Sequence, residues 1–300
     1  MSSTINLIDF YKKFPNEIAC RDYLQKARWG NASTCPNCGL SNSKIYKLKD
    51  SRLLKCATCK KSFSIRVGTV FEDSAIPLQS WFLAVYLCTS LKKGISSVQL
   101  AKYLGITQKS AWHMLHRIRH NVIDSNSEKL KGVVEIDETY IGGVSRGSGK
   151  GRGFDDKSVI FGAVERGGRT KLKHVPGTGS RILLPEISKL ISKKATIFSD
   201  QLIAYKNLDK IGYSHKSVNH SELEFARGYI HTNTIEGGVW DHLKLSLEAI
   251  YLGVSPKHLS KYCDEFAYRY NTRALSDGQR FNNWFNYVNG KQLTYKKLIG

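Results

Sequence analysis

No apolar run in the 300-residue chain approaches the roughly 20 residues that a membrane-spanning helix requires. The most apolar stretch, 81–88, is followed closely by Lys92 and Lys93. A basic-plus-apolar leader with a small-residue cleavage site is missing from the N-terminal stretch as well. These absences argue against a membrane partner and for a cytoplasmic protein. Acidic side chains are also scarce. Asp and Glu number 25 against 46 Lys and Arg, a formal net charge of +21. Residues 1–130 hold 20 basic and 8 acidic side chains, and 131–300 hold 26 and 17. The excess is therefore no basic tail, and a polyanion-facing surface running over both halves is expected. Hydrophobic residues make up 41%, as in an ordinary folded protein, and the length suits two or three domains.

Seven cysteines in a cytosolic setting point to metal binding before disulfides. Cys20, Cys88 and Cys263 are isolated and read as packed side chains. Cys35-Pro-Asn-Cys38 and Cys56-Ala-Thr-Cys59 form two CxxC knuckles with 17 residues between them. Each knuckle offers two thiolates at neighbouring corners of a tetrahedron, and the pair closes around one zinc ion. With all four positions filled by protein, the ion is structural. Short strands near 44–48, 52–56 and 63–65 complete a zinc ribbon over 30–68, preceded by a helical segment over 1–29.

From 76 to 130 the apolar spacing becomes helical. A helix through Trp81, Phe82, Val85 and Tyr86 precedes a short helix from Ser96, a turn at Gly105 and a second helix capped by Thr107. This is the layout of a helix-turn-helix. Its DNA-facing candidates are Gln108, Lys109 and His113 for base edges, with Arg117 and Arg119 for phosphates.

After Gly132 the pattern changes to strands at 133–137, 158–165 and 169–175, a helix over 182–192, and a buried strand over 195–200. A turn of helix around 202–208 and a strand at 215–218 follow. A three-strand meander, a helix and renewed alternation is the order of an α/β, ribonuclease-H-like fold. There the first and fourth strands are neighbours, which would join Asp137 to Asp200 across 62 intervening residues. A further 35 residues lead to Glu236, in the first turn of a helix that carries Lys244 two turns on. Two Asp on strand ends and one Glu on a facing helix suit a pair of divalent cations about 3.5–4 Å apart, the arrangement used in phosphodiester chemistry. Glu135 and Glu138 are expected to turn to other faces of the strand and to stay out of the ligand set. Trp240 and Leu243 are expected to face the core. The loop 142–157 has six glycines together with Arg146, Lys150 and Arg152, and reads as a DNA-draping segment. It lacks the glycine and Ser/Thr offsets of a nucleotide-cradling loop.

Several long motifs stand in one order: IDETYIGG (136–143), FGAVERGG (161–168), SD (199–200), HTNTIEGGVWDHLK (231–244) and KHLSKYCDEFAYRYNTR (257–273). Together they resemble the bacterial DDE-type insertion-sequence transposases of the Merlin-related, zinc-ribbon-containing group, over roughly 30–275. The resemblance implies a catalytic domain over 131–275, with 276–300 as an extension. It implies cleavage at terminal inverted repeats, joining of 3′ ends to target DNA, and two Mg²⁺ ions, with Mn²⁺ as a substitute. It also implies a homodimer or larger assembly on double-stranded DNA, associated with the bacterial nucleoid. Asp137 and Asp200 carry over directly. In some members of the group the third position is Asn, and both Asn233 and Glu236 occupy the motif here. Glu236 is favoured, because a carboxylate is the better ligand for a hard cation. His231 either orients DNA or water near the metals or packs the helix. Two other readings stay open: a DNA-binding regulator without catalysis, and an RNA–DNA hybrid nuclease on the same fold.

Overall fold

The computed structural model describes residues 6–30, 32–41, 44–48, 52–122, 128–142, 157–219 and 226–300. The chain forms two compact units, one of 1–122 with 274–300 and the other of 123–273. No helix among the described residues is long and apolar enough to cross a membrane.

The first unit opens with helices α1 (Leu7–Lys13) and α2 (Glu17–Trp29). Asn6 and Asn16 cap them by accepting from the amides of Asp9 and Ala19. Strands β1 (Ile45–Lys47), β2 (Leu53–Cys56) and β3 (Ser62–Ser64) form an antiparallel ribbon in that order. Three helices follow: α3 (Leu78–Ser90), α4 (Ser97–Leu104) and α5 (Gln108–Asn121). The expected caps are in place. Ser96 accepts from Gln99, Thr107 accepts from Ser110, and Gly105 ends α4 with a left-handed φ of 62°. Between α4 and α5, Leu100, Ala101, Ala111, Met114, Leu115 and Ile118 are buried as the helical spacing requires.

The C-terminal stretch folds into this same unit. Helix α9 (Asp277–Phe285) supplies Phe281, Trp284 and Phe285 to an aromatic core with Phe10, Phe14, Tyr23, Phe71 and Phe82. Asn121 Nδ2 donates to the Trp284 carbonyl at 2.8 Å, and the Trp284 indole donates to the Ile118 carbonyl. Residues 276–300, read from the sequence as an appended extension, are thus part of the first unit's core. Nothing in their own periodicity names the partner.

In the second unit, strands β4 (Val133–Gly142), β5 (Lys157–Glu165), β6 (Thr170–Val175), β7 (Thr196–Ser199) and β8 (Ser214–Ser217) form one sheet in the order β6-β5-β4-β7-β8. The β4–β5 and β5–β6 pairs are antiparallel, and the β4–β7 and β7–β8 pairs are parallel. This is the ribonuclease-H-like order. Helix α6 (Ser180–Leu190) and Tyr205 cover one face, packing on Val134, Ile136, Phe161 and Ile197. The other face meets a helical stretch at 233–250, α7, and helix α8 (Pro256–Asn271), through Ile160, Val164, Trp240, Leu243 and Phe266. Both faces of β5 are covered, which is why Val159–Val164 is apolar on both faces, with Gly162 among them. The expected helix at 202–208 is a single 3₁₀ turn, Ile203–Tyr205.

Candidate active site

The four thiols of the ribbon converge. Cys35, Cys38, Cys56 and Cys59 place their sulfurs within 4.8 Å of one another, and Cys35 and Cys59 are 3.7 Å apart. A tetrahedron with Zn–S bonds of about 2.3 Å has edges of about 3.8 Å, so this donor set fits zinc. Each knuckle closes the same way: the amide of Gly39 donates to the Cys35 carbonyl and that of Lys60 to the Cys56 carbonyl. Both residues take left-handed φ values, 69° and 61°, which Gly39 adopts without strain. Among the described residues of the ribbon, the buried apolar side chains apart from its thiols are Leu54, Phe63 and Ile65. Zinc removal is therefore expected to unfold 35–64, seen as collapse of its amide NMR dispersion, while 123–273 stays folded. A ribbon that kept its dispersion after chelation would show that the metal is dispensable there.

The acidic residues come from three elements of the second unit. Parallel pairing sets Val134 beside Ile197 and Glu135 beside Phe198, so two residues on, Asp137 and Asp200 stand level; Asp200 follows the end of β7, whereas Asp137, expected at a strand end, lies in the middle of β4, which runs on to Gly142. Glu236 lies in the first part of α7, where Asn233–Ile235 is a turn of α-helix and Glu236–Trp240 a π-turn. All three acids are half-buried. Burial, and then the negative charges of Asp200 and Glu236, push the Asp137 carboxyl up to about 7, against hydrogen bonds from the Trp240 indole and the Glu138 amide. The charges of Asp200 and Glu236 thus both act on Asp137. The two charges that raise it are negative, a repulsion that a bound cation would relieve. The donor oxygens do not close as tightly as the four thiols do. Glu236 Oε1 accepts from the Thr232 hydroxyl, and Asp200 Oδ1 from the Leu202 amide.

Glu138 does alternate to the opposite face, where the Tyr205 hydroxyl donates to it. Burial, then Asp137 and Asp200, push its carboxyl up to about 9. These two acids hold protons in the fold that the unfolded chain releases above about pH 4–4.5. Without divalent cations these two acids therefore contribute stability that is fully present below about pH 4 and is lost as pH climbs through 7 toward 9, the reverse of a salt-bridged carboxylate. The second unit's urea midpoint in magnesium-free buffer is expected to fall between pH 6 and pH 9, and Glu138→Gln to flatten the fall. An identical slope in the variant would remove Glu138 from this account.

Glu135 departs from expectation. Standing two residues before Asp137, it shares that residue's face, as a period of two dictates. Its fully buried carboxylate accepts from Arg166 Nε at 2.6 Å, from the Thr234 hydroxyl and amide, both at 2.8 Å, and from the Ile235 amide at 3.1 Å. It thus ties the start of α7 to β4. Arg166 reaches on to the carbonyls of Tyr229 and His231. His231 stands on this anchor as well, its Nδ1 3.4 Å from Glu135. Sequence reasoning missed Arg166, although it lies inside the FGAVERGG motif. Trp240 and Leu243 are buried as expected, but the Trp240 indole also donates to Asp137 Oδ2 at 2.7 Å.

The remaining candidates are spread more widely. Asn233 is exposed at the start of α7, and Lys244 is half-buried. A regular α-helix would leave Lys244 roughly 80° from Glu236, and one widened π-turn cuts that to about 20° or less. Gln108 and Lys109 are exposed at the start of α5, and His113 is half-buried with its ring centroid 5.4 Å from that of Tyr295. Arg117 must be corrected. It is 5% exposed, donates to the Glu72 carbonyl and lies over the Trp81 ring, so it serves the first unit's core and no DNA contact. Arg119, 1% exposed, is withdrawn on the same ground. Arg146, Lys150 and Arg152 lie outside the described residues.

Residues 129–271 match the ISXO2-like transposase domain, and residues 15–62 match a transposase zinc-ribbon domain. A protein of the transposable element ISH50 of Halobacterium salinarum is 30% identical over 282 residues, covering 86% of this chain and 92% of that one. The crystal structure of the Mos1 mariner paired end complex with Mn is similar over 61% of this chain and 75% of its own, at 13% identity and a TM-score of 0.24. A pre-cleavage Mos1 transpososome gives 61% and 74%, at 14% identity and a TM-score of 0.20. Such slight structural likenesses add nothing to the strand order described above. The two matched domains and the near full-length relative decide the matter: the chain belongs to the ISXO2-like transposase family, and it is a DDE-type DNA transposase with a zinc ribbon ahead of a ribonuclease-H-like catalytic domain.

Proposed function

We propose that the chain cuts DNA at the terminal inverted repeats of its element and transfers the freed 3′ ends to target DNA, with Asp137, Asp200 and Glu236 holding two Mg²⁺ ions. The parallel register that levels Asp137 with Asp200 is the observation that carries this reading. Bound cations supply Lewis-acid activation of the attacking oxygen and charge stabilisation of the leaving 3′ oxygen. Asp137, Asp200 and Glu236 are the residues that would hold the ions. Carboxylates are the natural donors for such hard ions. Glu236 is preferred to Asn233 because its charge acts on Asp137. Lys244 is suited to hold a phosphate beside the acids. No side chain need become covalently attached to DNA, so this reading requires no Ser or Tyr nucleophile.

Gln108 and Lys109 are the best placed of the first unit's candidates to read a repeat, and the chain's +21 charge favours the phosphate backbone throughout. Two ends must be cut together, which calls for a homodimer or larger assembly on the DNA. The place of work is the bacterial nucleoid.

The test is incubation of purified protein with a labelled terminal repeat and Mg²⁺ or Mn²⁺, beside an RNA–DNA hybrid of the same sequence. Metal-dependent nicking at the repeat end, absent in Asp200→Ala, is expected. Preferential cleavage of the hybrid would make the protein a nuclease of another class. Binding with no cleavage, unchanged by Asp137→Asn, would make it a regulator.

A further inference from the structure

Asp137 and Gly162 face each other across the β4–β5 ladder. Gly162 interrupts an apolar strand whose neighbours Ile160, Phe161, Ala163 and Val164 are all fully buried. A Cβ at this position would lie 2.3 Å from Trp240 Cη2, 2.7 Å from its Cζ2 and 3.1 Å from Ile235 Cδ1. The glycine is therefore the socket that admits the indole onto the sheet. Trp240 is 3% exposed, and a buried indole N–H needs an acceptor. The acceptor is Asp137 Oδ2 at 2.7 Å, one of the oxygens assigned above to the metals.

We propose that Trp240 is a positioning residue for Asp137: its indole N–H, seated through Gly162, fixes the plane of the carboxylate and turns the free oxygen toward Asp200. The inference rests on the reading of Asp137 as a metal ligand. A carboxylate has two soft torsions, and beyond the Glu138 amide the indole is the group that orders this one against the repulsion of Asp200 and Glu236. The N–H supplies that order beforehand, and partners of metal ligands of this kind change affinity or activity by about 10–100-fold. Both ends of α7's first half then serve the site: Glu135 fixes where the helix begins, and Trp240 returns from the π-turn to hold the strand's acid. A tryptophan that merely filled the core would need neither the glycine opposite nor an acidic acceptor.

The experiment compares full-length wild type, Trp240→Phe and Asp137→Asn by Mn²⁺ titration, following free Mn²⁺ by electron paramagnetic resonance, and by cleavage against metal concentration. Trp240→Phe keeps a ring and loses the N–H. It is expected to weaken Mn²⁺ binding by about 10–100-fold and to regain much of its cleavage at high metal. Asp137→Asn should lose both at every concentration. Wild-type metal dependence in Trp240→Phe would overturn the positioning role alone, whereas unchanged binding and cleavage in Asp137→Asn would overturn the site beneath it. Should Trp240→Phe fail to fold, the wild type decides. Of its five indole N–H signals, that of Trp240, identified by replacing the other four, is expected to shift on adding Mg²⁺. No shift would sink the proposal.

Discussion

Asp200→Ala is expected to lower metal-dependent strand cleavage by about a thousandfold or more while leaving the fold intact. A lost shared ligand removes several kcal/mol of transition-state stabilisation, and about 4 kcal/mol corresponds to a factor of 10³. The structural cost is small. Among the described residues the Asp200 side chain accepts from the Leu202 amide, and the strand before it is held by pairing with β4 and β8. Its negative charge also works against Asp137, so removing it relieves repulsion in the metal-free protein. Cleavage and urea unfolding measured on the same preparation separate the two effects. A variant that loses activity only in proportion to lost stability would show Asp200 to be a structural residue.

Glu135→Ala is expected to act in the opposite proportion, costing about 3 kcal/mol of stability, because it leaves the half-buried Arg166 Nε and the first amides of α7 without their acceptor. Glu135→Gln keeps an acceptor and loses the charge, so about 1.5–3 kcal/mol is expected, as for hydrogen bonds to a charged group. Cleavage should fall in both variants even well below their melting temperatures, since Glu236 and Trp240 follow directly on the segment that Glu135 holds. Urea midpoints and low-temperature cleavage rates check both halves. A Glu135→Ala protein with a wild-type midpoint would mean that Arg166 finds another partner at no cost.

Much of this arrangement was legible in the residues. The CxxC knuckles announced their tetrahedron because two thiolates per turn suit little else, and the strand–helix alternation announced the sheet because buried parallel strands are written as apolar runs. Asp137 and Asp200 could be paired before any coordinates, since the fold's strand order makes their strands neighbours. The second layer of the site was harder to read. Glu135 shares a face with Asp137 by simple alternation, yet its partners, Arg166 and the Thr234 and Ile235 amides, lie far along the chain, and no local pattern signals them. The Trp240 contact left one trace, the glycine inside an apolar strand at 162, which marks close approach without naming what approaches. The π-turn at Glu236–Trp240 has no periodic signature at all, and it changes the azimuth of Lys244. Arg117 misled because charge on a recognition-type helix suggests DNA, whereas long cationic side chains also pack on aromatic rings.

The pairing of 1–122 with 274–300 carries a consequence for how the protein is made. On the ribosome, Phe10, Phe14 and Phe82 emerge long before Phe281, Trp284 and Phe285, the side chains that complete their core. The unit translated first is thus the last to close, and a prematurely terminated product would expose unpaired aromatic surface to chaperones and proteases. Only a polypeptide whose synthesis has run through to these late residues yields a finished protein.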